Sequence, residues 1–135
     1  MSSNEQKRVA ASVQSYRDLV VWQRGMSLAE ACYRMTALFP RDEAYGMIAQ
    51  IRRAAVSIPA NIAEGQGREQ TGAFVQFLRI AQGSLKELET HLLLAERVQL
   101  VGRESTTPLL SDCEELGKML RALIRALQRN AASGV

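Results

Sequence analysis

The residues that could support catalysis are few, and the single histidine is the first of them. His91 is the only histidine in the chain, which excludes metal sites built from several histidines. Di-iron helical bundles use a Glu-x-x-His motif, but Leu88 occupies the glutamate position and Glu87 lies one residue too early. Helical-bundle ribonucleases place an arginine about one to two turns before the histidine, where this chain has Lys86. We interpret His91 as a surface or half-buried helix residue.

Other catalytic patterns are also weak. Glu87 and Glu89 fall on different faces of a helix, so they are poorly placed as a general acid and base. No strand precedes Gly65-Gln66-Gly67, so this segment predicts a left-handed helix cap and a turn rather than a phosphate-binding loop. We therefore predict no catalytic residue, no metal site and no cofactor, and we expect that the protein is not an enzyme.

A polar stripe on the second predicted helix is more informative. Its members recur at spacings that place them on one helix face: Gln50, Arg53, Ser57, Asn61 and Glu64. A face exposed only to solvent seldom carries neutral serine and asparagine between its charges. The stripe therefore predicts either a hydrogen-bond network between subunits or a site for an anion.

The basic residues are mostly arginines, although the formal net charge is only +3. Arginine suits carboxylate, phosphate and interface contacts, but a GC-rich genome would produce the same bias. Helix four ends in a basic row of Lys118, Arg121, Arg125 and Arg129, which the helix dipole also favours. The residues predicted to contact phosphate are Arg52, Arg53, Arg79, Lys86, Arg121 and Arg125.

The first turns of the third predicted helix carry more apolar residues than one bundle buries. Val75, Phe77 and Ile80 widen the apolar arc beyond the core positions Phe74 and Leu78. Exposed apolar patches of this kind usually mark interfaces, so these three residues predict self-association rather than further burial within the chain.

Four helices must position these residues. The spacing of apolar residues predicts helices over residues 18–39, from the N-cap Asp42 to the glycines at 65–67, over residues 71–100, and from Thr107-Pro108 onward. The apolar residues of the third and fourth helices repeat at heptad spacing, from Phe74 to Ala95 and from Leu109 to Leu127. Met26 and Tyr33 belong to the predicted core stripe of the first helix, and Pro59 should kink the second. Helix three contains Gly83, where we expect a close helix contact. Short connections predict an all-α, up-down-up-down antiparallel four-helix bundle.

The bundle is expected to span residues 16–131, between a flexible arm at 1–15 and a flexible tail at 132–135. Cys32 and Cys113 lie on apolar stripes and are predicted to occupy nearby core layers without a disulfide. No segment has the pattern of a signal peptide or of a membrane-spanning helix. We therefore expect a cytoplasmic protein with no membrane partner.

Several motifs carry a family resemblance. Tyr16-Arg-Asp-Leu-Val-Val-Trp-Gln23, Gln50-Ile-Arg-Arg-Ala54 and Ser57-Ile-Pro-Ala-Asn-Ile-Ala-Glu-Gly65 resemble the four-helix-bundle proteins encoded within intervening sequences of bacterial 23S ribosomal RNA genes. The resemblance covers residues 16–100. It implies ring-shaped homo-oligomers, typically homopentamers, and the family has no known catalytic residues. The family is similar to the accessory proteins of diversity-generating retroelements, which bind nucleic acid through a basic surface.

Together, the residues and the resemblance predict a non-enzymatic, homo-oligomeric module that binds RNA or DNA non-specifically through basic surface residues. The alternative is a protein–protein scaffold or adaptor with no role in nucleic-acid binding. A third hypothesis, a ribonuclease that depends on His91, has no further motif to support it.

Overall fold

The computed structural model describes residues 15–43 and 45–133, and these contain four α-helices and no strand. The helices are α1 (Val20–Thr36), α2 (Met47–Gly67), α3 (Thr71–Arg97) and α4 (Arg103–Ser133). A 3₁₀ turn, Tyr16–Asp18, precedes α1, and a second turn, Arg41–Glu43, lies between α1 and α2.

Each helix packs against two others around one core. α1 contacts α2 and α4, and α3 contacts the same two helices, so α1 and α3 lie on a diagonal. Consecutive helices run antiparallel because their connections are short. The predicted up-down-up-down four-helix bundle is confirmed.

The heptad pattern correctly predicted most of the core of α3 and of α4, although Phe74 is only half-buried and Val75 is buried instead. Fully or almost fully buried positions on these two helices are Leu78, Ala81, Leu85, Leu88, Leu92, Ala95, Leu109, Cys113, Leu116 and Leu120. On α1 the pattern was too broad, since Met26 is 38% exposed and Tyr33 is 44% exposed. Both side chains lie on the outer surface, because Val21, Leu28 and Cys32 already fill the part of α1 that faces the core.

Helix α4 begins at Arg103, several residues before the predicted start at Thr107-Pro108, so Pro108 lies inside the helix. Thr106 explains the earlier start. Its side chain is fully buried, and its hydroxyl donates hydrogen bonds to the Glu96 carboxylate of α3 and to the carbonyl of Arg103. This contact with α3 anchors the first turn.

The predicted caps of α2 were also wrong. The N-cap is Gly46 rather than Asp42, and Oε2 of Glu43 accepts the Met47 N–H at 3.2 Å. At the other end, α2 continues to Gly67, and the positive φ of the following turn belongs to Glu69 (59°) rather than to a glycine. Gly65 and Gly67 are thus both helical.

The glycine of close helix contact is Gly65, not Gly83. A Cβ added at Gly65 would lie 2.6 Å from Cβ of Phe77 and 3.1 Å from Cδ1 of Phe74, so α2 and α3 nearly touch there. A Cβ added at Gly83 would have no atom within 4 Å. α2 also runs through Pro59 without interruption, and the ring packs against Gly25 of α1.

The two cysteines lie in the core and are unbridged, as predicted. Burial raises the pKa of each thiol to about 12. The charge of one thiol also raises the pKa of the other, as expected for neighbouring core layers.

Of the predicted arm, residues 1–14 lie outside the described residues, whereas Ser15 caps the first 3₁₀ turn by accepting the Arg17 N–H at 3.2 Å. At the other end, α4 extends to Ser133, and residues 134–135 lie outside the described range.

Candidate nucleic-acid interface

The centre of the polar stripe joins α2 to α3 within one chain. Oγ of Ser57 and Oγ of Ser84 share a hydrogen bond of 2.7 Å. Nδ2 of Asn61 donates to the Ser57 carbonyl at 2.8 Å and to its hydroxyl at 3.0 Å. The serine and asparagine that suggested an anion site therefore form a half-buried hydrogen-bond network between two helices.

The ends of the stripe remain closer to solvent. Gln50 is half-buried, while Arg53 and Glu64 are exposed. Oε1 of Glu64 accepts a hydrogen bond from Nη2 of Arg68 at 3.0 Å, and the Arg68 guanidinium stacks 5.2 Å from the centre of the Phe77 ring. Arg53 is therefore the charged residue of this stripe with no partner among the described residues.

Arg52 is engaged within the chain. Its Nε donates to Oγ1 of Thr36 at 2.9 Å, and its Nη2 donates to the Tyr33 carbonyl at 3.3 Å. The guanidinium also stacks on the Tyr33 ring, 4.4 Å from the ring centre. Because Arg52 joins α2 to the end of α1 in this way, it is a poor phosphate ligand.

The other predicted phosphate contacts lie on α3 and α4, in a region that we call the basic half. It comprises residues 71–86 of α3 and 116–133 of α4, and neither segment contains an aspartate or a glutamate. Because the two helices are antiparallel, the segments lie at the same end of the bundle. The six basic residues of this half are all exposed: Arg79, Lys86, Lys118, Arg121, Arg125 and Arg129.

One contact and one electrostatic effect locate the basic half at the seam between α3 and α4. A Cβ added at Gly117 would lie 3.5 Å from Cδ2 of Leu85 and 3.8 Å from Nη1 of Arg121, so the guanidinium extends over this glycine. The charge of Lys86 on α3 lowers the pKa of Cys113 on α4, against the larger effect of burial. Lys86 and Arg121 thus flank one seam.

Three of these cations have no acidic neighbour within the described residues. Lys86 pairs with Glu89 at 3.3 Å, and Lys118 lies 3.8 Å from Glu114 and 3.6 Å from Glu115. By contrast, Arg79, Arg121 and Arg125 form no salt bridge or hydrogen bond with another described side chain. Their charge is available to an external anion.

The remaining part of the α3–α4 hairpin, residues 87–115, has the opposite charge, and we call it the acidic half. Its two basic residues are Arg97 and Arg103. Its seven acidic residues are Glu87, Glu89, Glu96, Glu104, Asp112, Glu114 and Glu115. The composition of the whole chain, with its small net charge, conceals this division.

The predicted oligomer interface is only partly accessible. Val75 is 9% exposed and belongs to the core, Phe77 is half-buried, and Ile80 is 46% exposed. A second apolar surface was missed, because Met26 and Tyr33, which line it, were assigned to the core of α1. It is an open groove of about 510 Å³ between α1 and α2, lined by Met26, Ala29, Glu30, Tyr33, Arg34, Val56 and Pro59.

Two of the residues considered for catalysis, Glu87 and His91, lie next to each other on α3. His91 is half-buried, as predicted, and its Nε2 lies 3.3 Å from Oε1 of Glu87. No group of three histidine, cysteine or acidic side chains among residues 15–43 and 45–133 could hold a metal ion. None of the described helices is long and apolar enough to cross a membrane.

The model of one protein family, the 23S rRNA-intervening sequence proteins, matches residues 17–122. The chain belongs to this family. The match includes α1, α2, α3 and the first two-thirds of α4, and so extends beyond the motifs between residues 16 and 100. It thus covers the α3 segment of the basic half and residues 116–122 of the α4 segment, but not Arg125 or Arg129.

A solved structure supports this membership. It is described as a protein with unknown function from the S23 ribosomal protein family of Bacteroides thetaiotaomicron. It is 28% identical to this chain, with a TM-score of 0.70, and the alignment covers 78% of this chain and 98% of that one. No curated protein matches the chain.

Proposed function

We propose that this 23S rRNA-intervening sequence protein is a non-enzymatic, homo-oligomeric module that binds RNA or DNA through the phosphate backbone. The observation that carries the proposal is the basic half, where Arg79, Arg121 and Arg125 are exposed and have no acidic partner among the described residues. Arginine donates in a planar fork that fits phosphate oxygens. Phosphate contacts release counterions, so binding should be independent of sequence and steeply dependent on salt.

The oligomer belongs to the same proposal. Ile80 and the α1–α2 groove provide two apolar surfaces that a second copy could cover. The family resemblance supports a ring, with a homopentamer as the expected size, and a relation to the accessory proteins of diversity-generating retroelements. Repetition around a ring would present several basic halves to one nucleic acid, which raises affinity through multivalency.

A binding experiment with two matched double variants tests the basic half. Arg121→Ala with Arg125→Ala removes two charges from this half, and Arg97→Ala with Arg103→Ala removes two exposed charges from the acidic half. Fluorescence anisotropy with a structured RNA should show at least a tenfold loss for the first pair near 50 mM salt, and less than about threefold for the second. The slope of the logarithm of the binding constant against the logarithm of the salt concentration should become shallower by about two for the first pair.

Two results would refute the proposal. One is the absence of RNA and DNA binding by the wild-type protein at low salt. The other is an equal loss for the two double variants, which would show that only net charge matters. Circular dichroism and chromatography of each variant check that the fold and the assembly are retained.

Oligomerisation and the absence of catalysis have their own measurements. Light scattering should give a mass above that of the 14.9 kDa chain at micromolar concentration, and a monomer there contradicts the proposed assembly. RNA should remain intact on prolonged incubation. If it is cleaved and His91→Ala abolishes the cleavage, the ribonuclease hypothesis replaces the non-enzymatic one.

The α1–α2 groove is also compatible with a second candidate function, a protein–protein scaffold or adaptor whose partner is a different protein. Its floor is formed by Ala29 and Pro59, and Val56 at its edge is 43% exposed. Under this alternative, Val56→Asp would disrupt assembly with a protein, while nucleic acid would bind at background level at every salt concentration.

A further inference from the structure

The basic half contains no aromatic side chain on its accessible α3–α4 face. α4 has no phenylalanine, tyrosine or tryptophan along its whole length. The two aromatic residues of α3, Phe74 and Phe77, instead pack on α2, where both lie within contact distance of the Cβ position of Gly65. The face that carries the arginines therefore offers charge without a surface on which a base can stack.

This composition discriminates between two classes of nucleic acid. Proteins that bind single strands use aromatic residues as stacking platforms, and each stacked base contributes roughly 5- to 150-fold in affinity. A duplex keeps its bases stacked internally and presents a dense row of phosphates, about one charge per 1.7 Å of axis. A site that offers only charge therefore binds more tightly to the ligand with the higher charge density.

The arrangement of the cations also favours a duplex ligand. Lys118, Arg121, Arg125 and Arg129 follow α4 at intervals of three or four residues, so the row is about 16 Å long at 1.5 Å per residue. Arg79 and Lys86 lie on the neighbouring helix α3, and packed helices lie about 8–10 Å apart. Lys86 and Lys118 also pair with glutamates of the acidic half, so Arg79, Arg121 and Arg125 are the cations of this group that are available to phosphate. These cations belong to rigid, packed helices rather than to loops.

Cations on two neighbouring helices can reach the two phosphate backbones that border a groove of a double helix, since the grooves of B-DNA are about 6–12 Å wide. A single strand has one flexible backbone, and it would have to be ordered along the cations of one helix while those of the other stayed unoccupied. Gly83 and Gln128 are exposed, uncharged residues beside the cations, and they leave room for a phosphate backbone.

We infer that the preferred ligand of the basic half is a double-helical nucleic acid, held by its backbones across the α3–α4 seam, rather than a single strand. This inference rests on the proposed function, and it assigns to that function a substrate class. Since no base edge is read, RNA and DNA duplexes of equal length should compete with each other.

Competition between defined ligands tests the inference with the protein in its native assembly. The probes are a duplex of about 20 base pairs and an unstructured single strand with the same number of phosphates, each as RNA and as DNA. The duplexes should bind at least tenfold more tightly near 100 mM salt, with a steeper salt slope. Equal affinity, or tighter binding of the single strands, would overturn the inference and leave the proposed function intact. If neither duplexes nor single strands bind at low salt, the proposed function itself is refuted.

A gain-of-function variant provides a second, independent measurement. Gln128→Trp adds a stacking platform at an exposed position beside the cationic row of α4. Single-strand affinity should rise about five- to tenfold, and duplex affinity should change less than twofold. The matched control is Gln23→Trp, which places the same ring on exposed surface of α1. The inference would be overturned if Gln128→Trp raised single-strand and duplex affinity equally. It would also be overturned if Gln23→Trp raised single-strand affinity as much as Gln128→Trp.

Discussion

The contact at Gly65 gives the most direct test of the packing described above. Gly65→Ala adds one methyl group between α2 and α3, and this group would lie 2.6 Å from Cβ of Phe77. Carbon atoms normally approach to about 3.5–4.0 Å. Since the Cβ of Phe77 is fixed to its backbone, no rotamer change relieves the overlap, and the helices must move apart by roughly 1 Å. The Phe74 carbonyl, 3.3 Å away, restricts a sideways shift.

The magnitude follows from two opposing effects. Overpacking of a well-packed contact costs about 1–3 kcal/mol. Replacing a helical glycine by alanine gains up to about 1 kcal/mol, and less near a helix end such as this one. We therefore expect Gly65→Ala to lower the free energy of unfolding by about 1–2 kcal/mol, and the melting temperature by about 4–8 °C.

Gly83→Ala is the matched control, because it makes the same chemical change in the middle of α3. The added Cβ would have no atom within 4 Å other than those of its own helical turn. This variant should gain about 1 kcal/mol and melt at a higher temperature. Urea and thermal unfolding followed by circular dichroism measure both. The reasoning fails if Gly65→Ala is as stable as the wild type, or if both variants shift in the same direction.

Two further predictions concern buried and half-buried groups. Arg52→Ala removes two hydrogen bonds between helices and a stacking contact, so it should cost about 1–2 kcal/mol in urea unfolding. The exposed Arg53→Ala should change stability by less than about 0.5 kcal/mol, and equal effects would contradict the assigned role of Arg52. Burial raises the pKa of Cys32 and Cys113 from 9.0 to about 12. Their contribution to stability is therefore complete below pH 9 and decreases as the pH rises towards 12, because only the unfolded state ionises its thiols in that range. Iodoacetamide should label both thiols slowly in the native protein and rapidly in urea, and rapid native labelling would refute the burial.

The sequence was sufficient for the bundle because the heptads of α3 and α4 have one consistent period. Leu78, Leu85 and Leu92 repeat at the coiled-coil interval, and all three are buried. Helix ends were predicted less well, because their determinants are distant in sequence. The start of α4 depends on the contact of Thr106 with Glu96, whereas the local preference for Thr107-Pro108 pointed to a later residue.

The sequence identified most residues of the candidate site, but not which of them lie together. Six basic residues were named from their type, and the structure places four of them, Arg79, Lys86, Arg121 and Arg125, in the basic half. Arg52 looked equivalent in sequence, and only the positions of Thr36 and Tyr33 show that it is engaged. The absence of acidic residues from both segments was visible in the sequence, but it gains meaning only when the antiparallel packing brings the segments together.

The division of the α3–α4 hairpin into oppositely charged halves also gives the molecule a permanent electric dipole. The centres of the two groups of charges lie roughly 17 Å apart along the helices, at 1.5 Å per residue. In the field of a polyanion such a dipole experiences a torque, which turns the basic half towards the phosphates before contact and makes more collisions productive. The same rotation directs the acidic half away from the polymer, together with Leu94 and Val98, which are 45% and 55% exposed. One end of each bound molecule would then face outwards with a fixed orientation and a different chemical character.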